Sequence, residues 1–222
     1  QVITAEILQQ RGYDVLLVDF DPQRNLTHGL AVDKPKCPVA DVLTGKTNIK
    51  DAILRTEAGL GLLPADRSLF ALQAALGSNA LAKVLAPVSG YFDYVIIDTT
   101  SMFSKLNLAM MDISTIVTFL GVVDFIPTIK NMKIGNDTLQ NLNYDTHKIR
   151  LVLNRSDAKT RISMEAVQKL LGEGFYHILP NDFRAASESI STGVPLVLSG
   201  SDSVLAEEIR RLISRYTNRA YV

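Results

Sequence analysis

Unbroken apolar runs alternate with amphipathic stretches along most of the chain. Ile3, Ile7 and Leu8 recur at helical spacing, and Gly12 in Arg11-Gly12-Tyr13 supplies a helix stop. Val15-Leu16-Leu17-Val18 then forms a continuous apolar run ended by Asp19. A run without polar alternation suits a strand covered on both faces of a parallel sheet. The same grammar returns at 94–97 ended by Asp98, at 115–120, at 149–153 ended by Asn154, and at 175–179 ended by Pro180, with a weaker instance at 60–63. Between these runs the apolar spacing predicts helices over 67–85, 126–142, 162–171, 182–191 and 204–216. Strand and helix in regular alternation are the mark of a doubly wound α/β fold with a mostly parallel sheet flanked by helices. No Gly/Ser or Pro-rich linker and no internal repeat divides the sequence, which predicts one domain over 1–222.

Composition narrows the class. The chain has 222 residues, 47% hydrophobic and 21% charged, which is enough to bury a core and argues against disorder. Lys+Arg and Asp+Glu are both 23, so a wholly basic nucleic-acid or lipid surface is excluded. One cysteine, Cys37, permits no internal disulfide, and three scattered histidines offer no metal spacing; both favour a reducing, cytoplasmic setting. No apolar run reaches the roughly 18 residues of a membrane span.

Ligands in such sheets bind at the carboxyl ends of the strands. Three predicted strands end in Asp19, Asp98 and Asn154, and the first continues Asp19-Phe20-Asp21-Pro22-Gln23. A carboxylate at a buried strand end needs a cation or donor. Two of them, with few histidines, point to a magnesium site completed by water and phosphate. The competing reading is that each Asp caps the next helix or turn.

Residues 13–27, with Asp19-Phe20-Asp21-Pro22-Gln23-Arg24-Asn25, resemble the second-strand motif of the ParA/MinD-type deviant Walker-A P-loop ATPases. Leu60-Gly61-Leu62-Leu63-Pro64-Ala65 resembles that family's short strand before a long helix. Phe92-Asp93-Tyr94-Val95-Ile96-Ile97-Asp98-Thr99 resembles its Walker-B segment. Leu151-Val152-Leu153-Asn154-Arg155 and Leu179-Pro180-Asn181-Asp182 resemble its base-binding strand end and loop. The first half is more similar to chromosome and plasmid partition ParA. The stretch 181–198, with Gly193-Val194-Pro195, is more similar to the CpaE/TadZ branch that helps place pili.

The resemblance implies an ATPase that dimerises with ATP at the interface, hydrolyses it to ADP with Mg2+, and positions DNA or a pilus machine. It also implies a partner protein that stimulates hydrolysis, non-specific DNA binding in the ParA manner, and nucleoid or polar association. It implies that Asp19 lies near the phosphates and the magnesium shell, and that Asp21 orients the attacking water. Asp98 holds magnesium through water. Asn154 and Arg155 meet the adenine edge, and Pro180, Asn181 and Asp182 cup the base through backbone groups. Two departures stand out: Thr99-Thr100-Ser101 replaces the family's Thr-Pro-Pro, and no Lys-Gly-Gly-x-Gly-Lys-Thr-Thr loop is present. That loop precedes the family's first helix, where this chain starts without Met, so the resemblance implies a truncated domain with a strand and P-loop upstream of Gln1. The rival is a degenerate, non-hydrolysing CpaE/TadZ-like scaffold. A flavodoxin-like or receiver-type domain shares the fold without the motifs.

Other features have plainer readings. Lys130, Lys133, His147, Lys148 and Arg150 fit a solvated face better than a basic patch. Residues 214–222 are too polar for a membrane-binding helix and fit a packed helix with a frayed end. Met110 and Met111 fill core, Cys37 has no neighbouring base, and His28 is a surface residue.

Overall fold

A computed structural model of the chain describes residues 1–72, 78–100, 104–122, 126–156, 163–172, 174–199 and 202–218. The chain divides into two compact units, Gln1–Ser114 and Thr115–Val222.

The first unit opens with helix α1 (Val2–Gln10), which buries Ala5, Ile7 and Leu8. Gly12, at φ +89°, turns the chain into β1 (Val15–Asp19), since that conformation is open to glycine at little cost. All five β1 residues are buried, and Leu16 and Val18 belong to the core of this unit. There follow α2 (Asn25–Gly29), α3 (Val39–Leu43), α4 (Ile49–Ala52), β2 (Leu54–Arg55), β3 (Gly61–Leu63), α5 (Leu69–Leu72), α6 (Ser78–Leu85), β4 (Tyr94–Asp98) and α7 (Lys105–Ile113). The sheet order is β2-β3-β1-β4, with β1 parallel to β3 and β4, and β2 antiparallel to β3. Leu16, Val18, Phe20, Leu63, Leu69, Leu81 and Leu106 form the centre of its core.

The second unit carries β5 (Val117–Val122), α8 (Ile126–Asn141), β6 (Ile149–Asn154), α9 (Met164–Leu171), β7 (His177–Ile178), α10 (Phe183–Thr192) and α11 (Val204–Thr217). Its three strands are all parallel in the order β5-β6-β7. Side chains alternate across a strand, so β6 feeds two cores. Leu151 and Leu153 meet Ile129, Met132, Val167 and Leu171, while Val152 meets Leu179 and Leu212. Gly121 on β5 admits Met132 so closely that a Cβ there would lie 1.9 Å from its Sδ.

The doubly wound α/β expectation holds, with four of the five strand pairings among the described residues parallel. The differences are local. The strand expected at 115–120 pairs from Val117, because α7 runs to Ile113 and its connection uses the intervening residues. Of the helix expected over 67–85, Leu69–Leu72 and Ser78–Leu85 are helical, and 73–77 lie outside the described residues. The strand expected at 175–179 pairs formally at two residues, yet Tyr176 and Leu179 N–H still donate to Leu151 and Leu153 carbonyls at 2.8 and 2.7 Å. The last expected helix packs as predicted, burying Leu212 and Ile213, while 219–222 lie outside the described residues. No helix among the described residues is long and apolar enough to cross a membrane.

Candidate functional site

In the first unit, Asp19 and Asp98 are register partners at the carboxyl ends of β1 and β4. The strands are locked there by Phe20 N–H donating to the Asp98 carbonyl at 2.9 Å. Asp19 is fully buried and well supplied with donors. Its Oδ1 accepts the Asp21 N–H at 3.0 Å, and its Oδ2 accepts the Thr27 N–H at 2.9 Å and the Thr27 hydroxyl at 2.6 Å. Thr27 Oγ1 in turn accepts the Ala65 N–H at 2.9 Å. Asp19 thereby organises the loop after β1 and ties α2 to the segment after β3, the capping role that a strand-end carboxylate also permits.

Asp21 is half-buried beyond it and accepts the Gln23 N–H at 2.8 Å, a short Asx turn. The turn is completed by Arg24, which sits in the left-handed region at φ 62° and begins α2. Arg24 also donates from its guanidinium to the Asp33 carbonyl at 3.0 Å. Asp98 accepts Gln1 Nε2 at 2.8 Å. Burial first, and then the charge of Asp19, pushes the Asp98 carboxyl up to about 6. Three acids thus gather where the strands end, and burial beside Asp19 makes Asp98 resist ionisation. A divalent cation relieves that strain, which is the chemistry of a magnesium-phosphate site. No group of three His, Cys, Asp or Glu side chains among the described residues converges as a metal cage.

In the second unit, Asn154 ends β6, and its Oδ1 accepts the Arg155 N–H at 3.0 Å. Arg155 takes the left-handed conformation at φ 56°, turning the chain so that Ser156 N–H donates to the Leu179 carbonyl at 3.1 Å. Asn154 and Arg155 are so brought beside Pro180, Asn181 and Asp182 at the end of β7. Asp182 caps α10 through the Ala185 N–H at 3.0 Å and accepts the Ser203 hydroxyl at 2.7 Å. These two bonds hold its carboxyl below the usual range. Its side chain is committed to the scaffold, leaving the loop's backbone groups to meet a ligand.

The structure brings Asp19, Asp21 and Asp98 together in one unit, and Asn154, Arg155 and 180–182 together in the other. Sequence reasoning missed Thr27, whose signal was a hydroxyl one helical turn into the segment after the Asp-Pro-Gln turn. It also missed Glu6 of α1, which is buried with Oε2 lacking a hydrogen-bond partner among the described residues. Ser101 of the altered Walker-B continuation lies outside the described residues. His28 forms an exposed pair with Asp33 at 3.2 Å, Lys133 pairs with Asp137 at 3.1 Å, and Arg150 lies over the Tyr176 ring at 4.9 Å.

A family model described as AAA domain matches residues 1–145. An uncharacterised protein of Pseudomonas putida is 38% identical over 102 residues, 42% of this chain and 39% of its own length. The match therefore spans about two fifths of that relative. The chromosome partitioning protein ParA of Caulobacter vibrioides is 28% identical over 94% of this chain and 85% of its own. The septum site-determining protein MinD of Pyrococcus horikoshii, solved as its Mg-ADP complex, has the same fold. It superposes with a TM-score of 0.77 over 98% of this chain and 90% of its own at 24% identity.

Proposed function

With the chain a member of the ParA/MinD-type family of P-loop ATPases, we propose that it is a positioning ATPase that pairs on ATP and resets by magnesium-dependent hydrolysis. The observation that carries this reading is the pairing of Asp19 with Asp98 at adjoining strand ends, followed by the Asp21 turn. Phosphoryl transfer needs positioning and charge neutralisation more than covalent chemistry. A bound magnesium would supply that neutralisation at the phosphates, with Asp98 and Asp19, both through water, as the residues that hold it. Asp21 orients the attacking water. Asn154 and Arg155 meet the base edge, and the backbone of Pro180, Asn181 and Asp182 cups the base. We read 1–222 as one nucleotide-binding domain, which the Caulobacter and Pyrococcus alignments over 94% and 98% of the chain support.

The cargo we assign is chromosomal or plasmid DNA, in keeping with the Caulobacter relative, with a partner protein that stimulates hydrolysis and a cytoplasmic setting. The Gly193-Val194-Pro195 stretch favours pilus placement as a second reading. The test is magnesium-dependent ATP binding and steady-state turnover by the intact gene product and its Asp21→Ala variant. The variant keeps its ATP affinity and loses turnover by about a hundredfold or more. Unchanged turnover rejects the role of Asp21. Wild-type binding without turnover favours the non-hydrolysing scaffold.

A further inference from the structure

Asn107 is a buried amide in the first turn of α7, 5% exposed, on the side of the helix that also buries Leu106, Ala109 and Met110. Asparagine is a poor helix former, and an amide in a core costs free energy unless its donors are satisfied. An aliphatic side chain would serve packing here as Leu106 and Met110 do. The amide is used for its bonds. Its Nδ2 donates to the Thr100 carbonyl at 2.8 Å and to the Thr100 hydroxyl oxygen at 3.1 Å, so both amide protons go to one residue. The Thr99 hydroxyl donates to the same carbonyl at 3.2 Å. The backbone N–H of Asn107 donates to the hydroxyl of Ser104, the cap of α7, at 3.1 Å. Leu106, Ala109 and Met110 belong to the same core cluster as Leu16 and Val18 of β1. The amide therefore reaches out from a helix that is anchored on the sheet.

What it holds adjoins the site. Thr100 lies two residues beyond Asp98. On the strand side, the Asp98 carbonyl accepts the Phe20 N–H at 2.9 Å. On the other side, Thr100 is held by Asn107. Asp98 and Thr99 are thus the short span between two anchors, one following β1 and one on α7. A carboxylate that meets an ion gains from such a mount, because its direction is set before the ion arrives. We propose that Asn107 is a positioning residue for the magnesium-dependent reaction: it clamps the turn after β4 and so fixes the direction of the Asp98 carboxylate. This rests on the reading of Asp98 as a residue that holds magnesium. Asn107 acts on it through Thr100.

The experiment measures ADP affinity of the intact gene product by calorimetry, with magnesium and with EDTA, beside amide hydrogen exchange without nucleotide. In the parent, magnesium tightens ADP binding. Asn107→Leu keeps a branched shape without the donors. It cuts the magnesium-dependent gain by about tenfold, the usual scale for a residue that orients a metal-holding group. Affinity in EDTA is unchanged, and exchange quickens at 99–100. In turnover, the magnesium concentration for half-maximal rate rises while kcat at saturating magnesium is little changed. Thr100→Val removes only the hydroxyl and gives a smaller loss of the same kind, about threefold. Thr100→Ser keeps the hydroxyl and the parent's response. If Asn107→Leu does not fold, the Val and Ser variants at 100 decide. A parent whose ADP affinity ignores magnesium overturns the reading of Asp98 and this inference with it. A parent that responds to magnesium, with Asn107→Leu and Thr100→Val responding equally, overturns the role of Asn107 alone. So does a loss of the same size in EDTA, which marks general damage to the fold.

Discussion

Thr27 stands between Asp19 and Ala65, giving its hydroxyl proton to the buried carboxylate at 2.6 Å and accepting the Ala65 N–H at 2.9 Å on the same oxygen. One side chain thus joins the end of β1, the start of α2 and the segment after β3.

Thr27→Val keeps the shape and removes the hydroxyl. It leaves Asp19 one donor short and the Ala65 N–H without its acceptor. The expected loss is about 1–3 kcal/mol of unfolding free energy, measured by urea denaturation. Thr27→Ser restores most of it. Equal stability of the Val and Ser variants would show that the hydroxyl is dispensable.

Gly121→Ala places a methyl group where Met132 Sδ already sits, 1.9 Å away. Overpacking of this kind costs about 1–3 kcal/mol. Met132→Ala in the same chain relieves the clash, so the double variant loses less than the sum of the two single losses. Additive losses in a double-mutant cycle would disconnect the two positions.

Glu6 is buried on α1, and burial raises its pKa. The folded state therefore favours the protonated acid. Stability is fully present below the ordinary carboxylate range and is lost as pH rises through the raised value. Glu6→Gln keeps the shape without the charge. It should be more stable than the parent at pH 7 and alike at low pH, as read from thermal midpoints across that range.

His177 shows the opposite sign. Burial, against the partly compensating Glu208, lowers its pKa. Its ring lies 3.2 Å from a Glu208 carboxylate oxygen and 3.0 Å from the Glu208 carbonyl. The unfolded chain takes up the proton first, so stability is present above 6.5 and falls as pH drops from there through the lowered folded value. His177→Gln flattens that part of the pH–stability curve. A curve of unchanged slope between pH 7 and 5 would assign the loss elsewhere.

The strand ends were legible because unbroken apolar runs stop at single polar residues: Asp19, Asp98 and Asn154 each close a strand where the run ends. The pairing of Asp19 with Asp98 was not legible, since register between strands some eighty residues apart is set by packing. The caps had local signals, yet the Ser203 bond to Asp182 spans 21 residues of chain and joins two helix starts that no periodicity links. Thr27 was missed for a related reason. A threonine after a turn reads as ordinary helix filler until the buried acid beside it is seen. The short antiparallel β2 escaped because Leu54 and Arg55 make a run of two, too brief for any alternation to register.

The clip between Asp182 and Ser203 also bears on how this chain tolerates variation. It brings together the two ends of a segment that includes α10 and the stretch behind it, as a buckle closes a strap. Lengthening a strap whose ends are fixed adds little closure entropy, about 0.6 kcal/mol for each doubling of its length. The strands β6 and β7 lie outside the buckle. Insertions at the exposed 191–194 should therefore leave the pairing of β6 with β7 undisturbed.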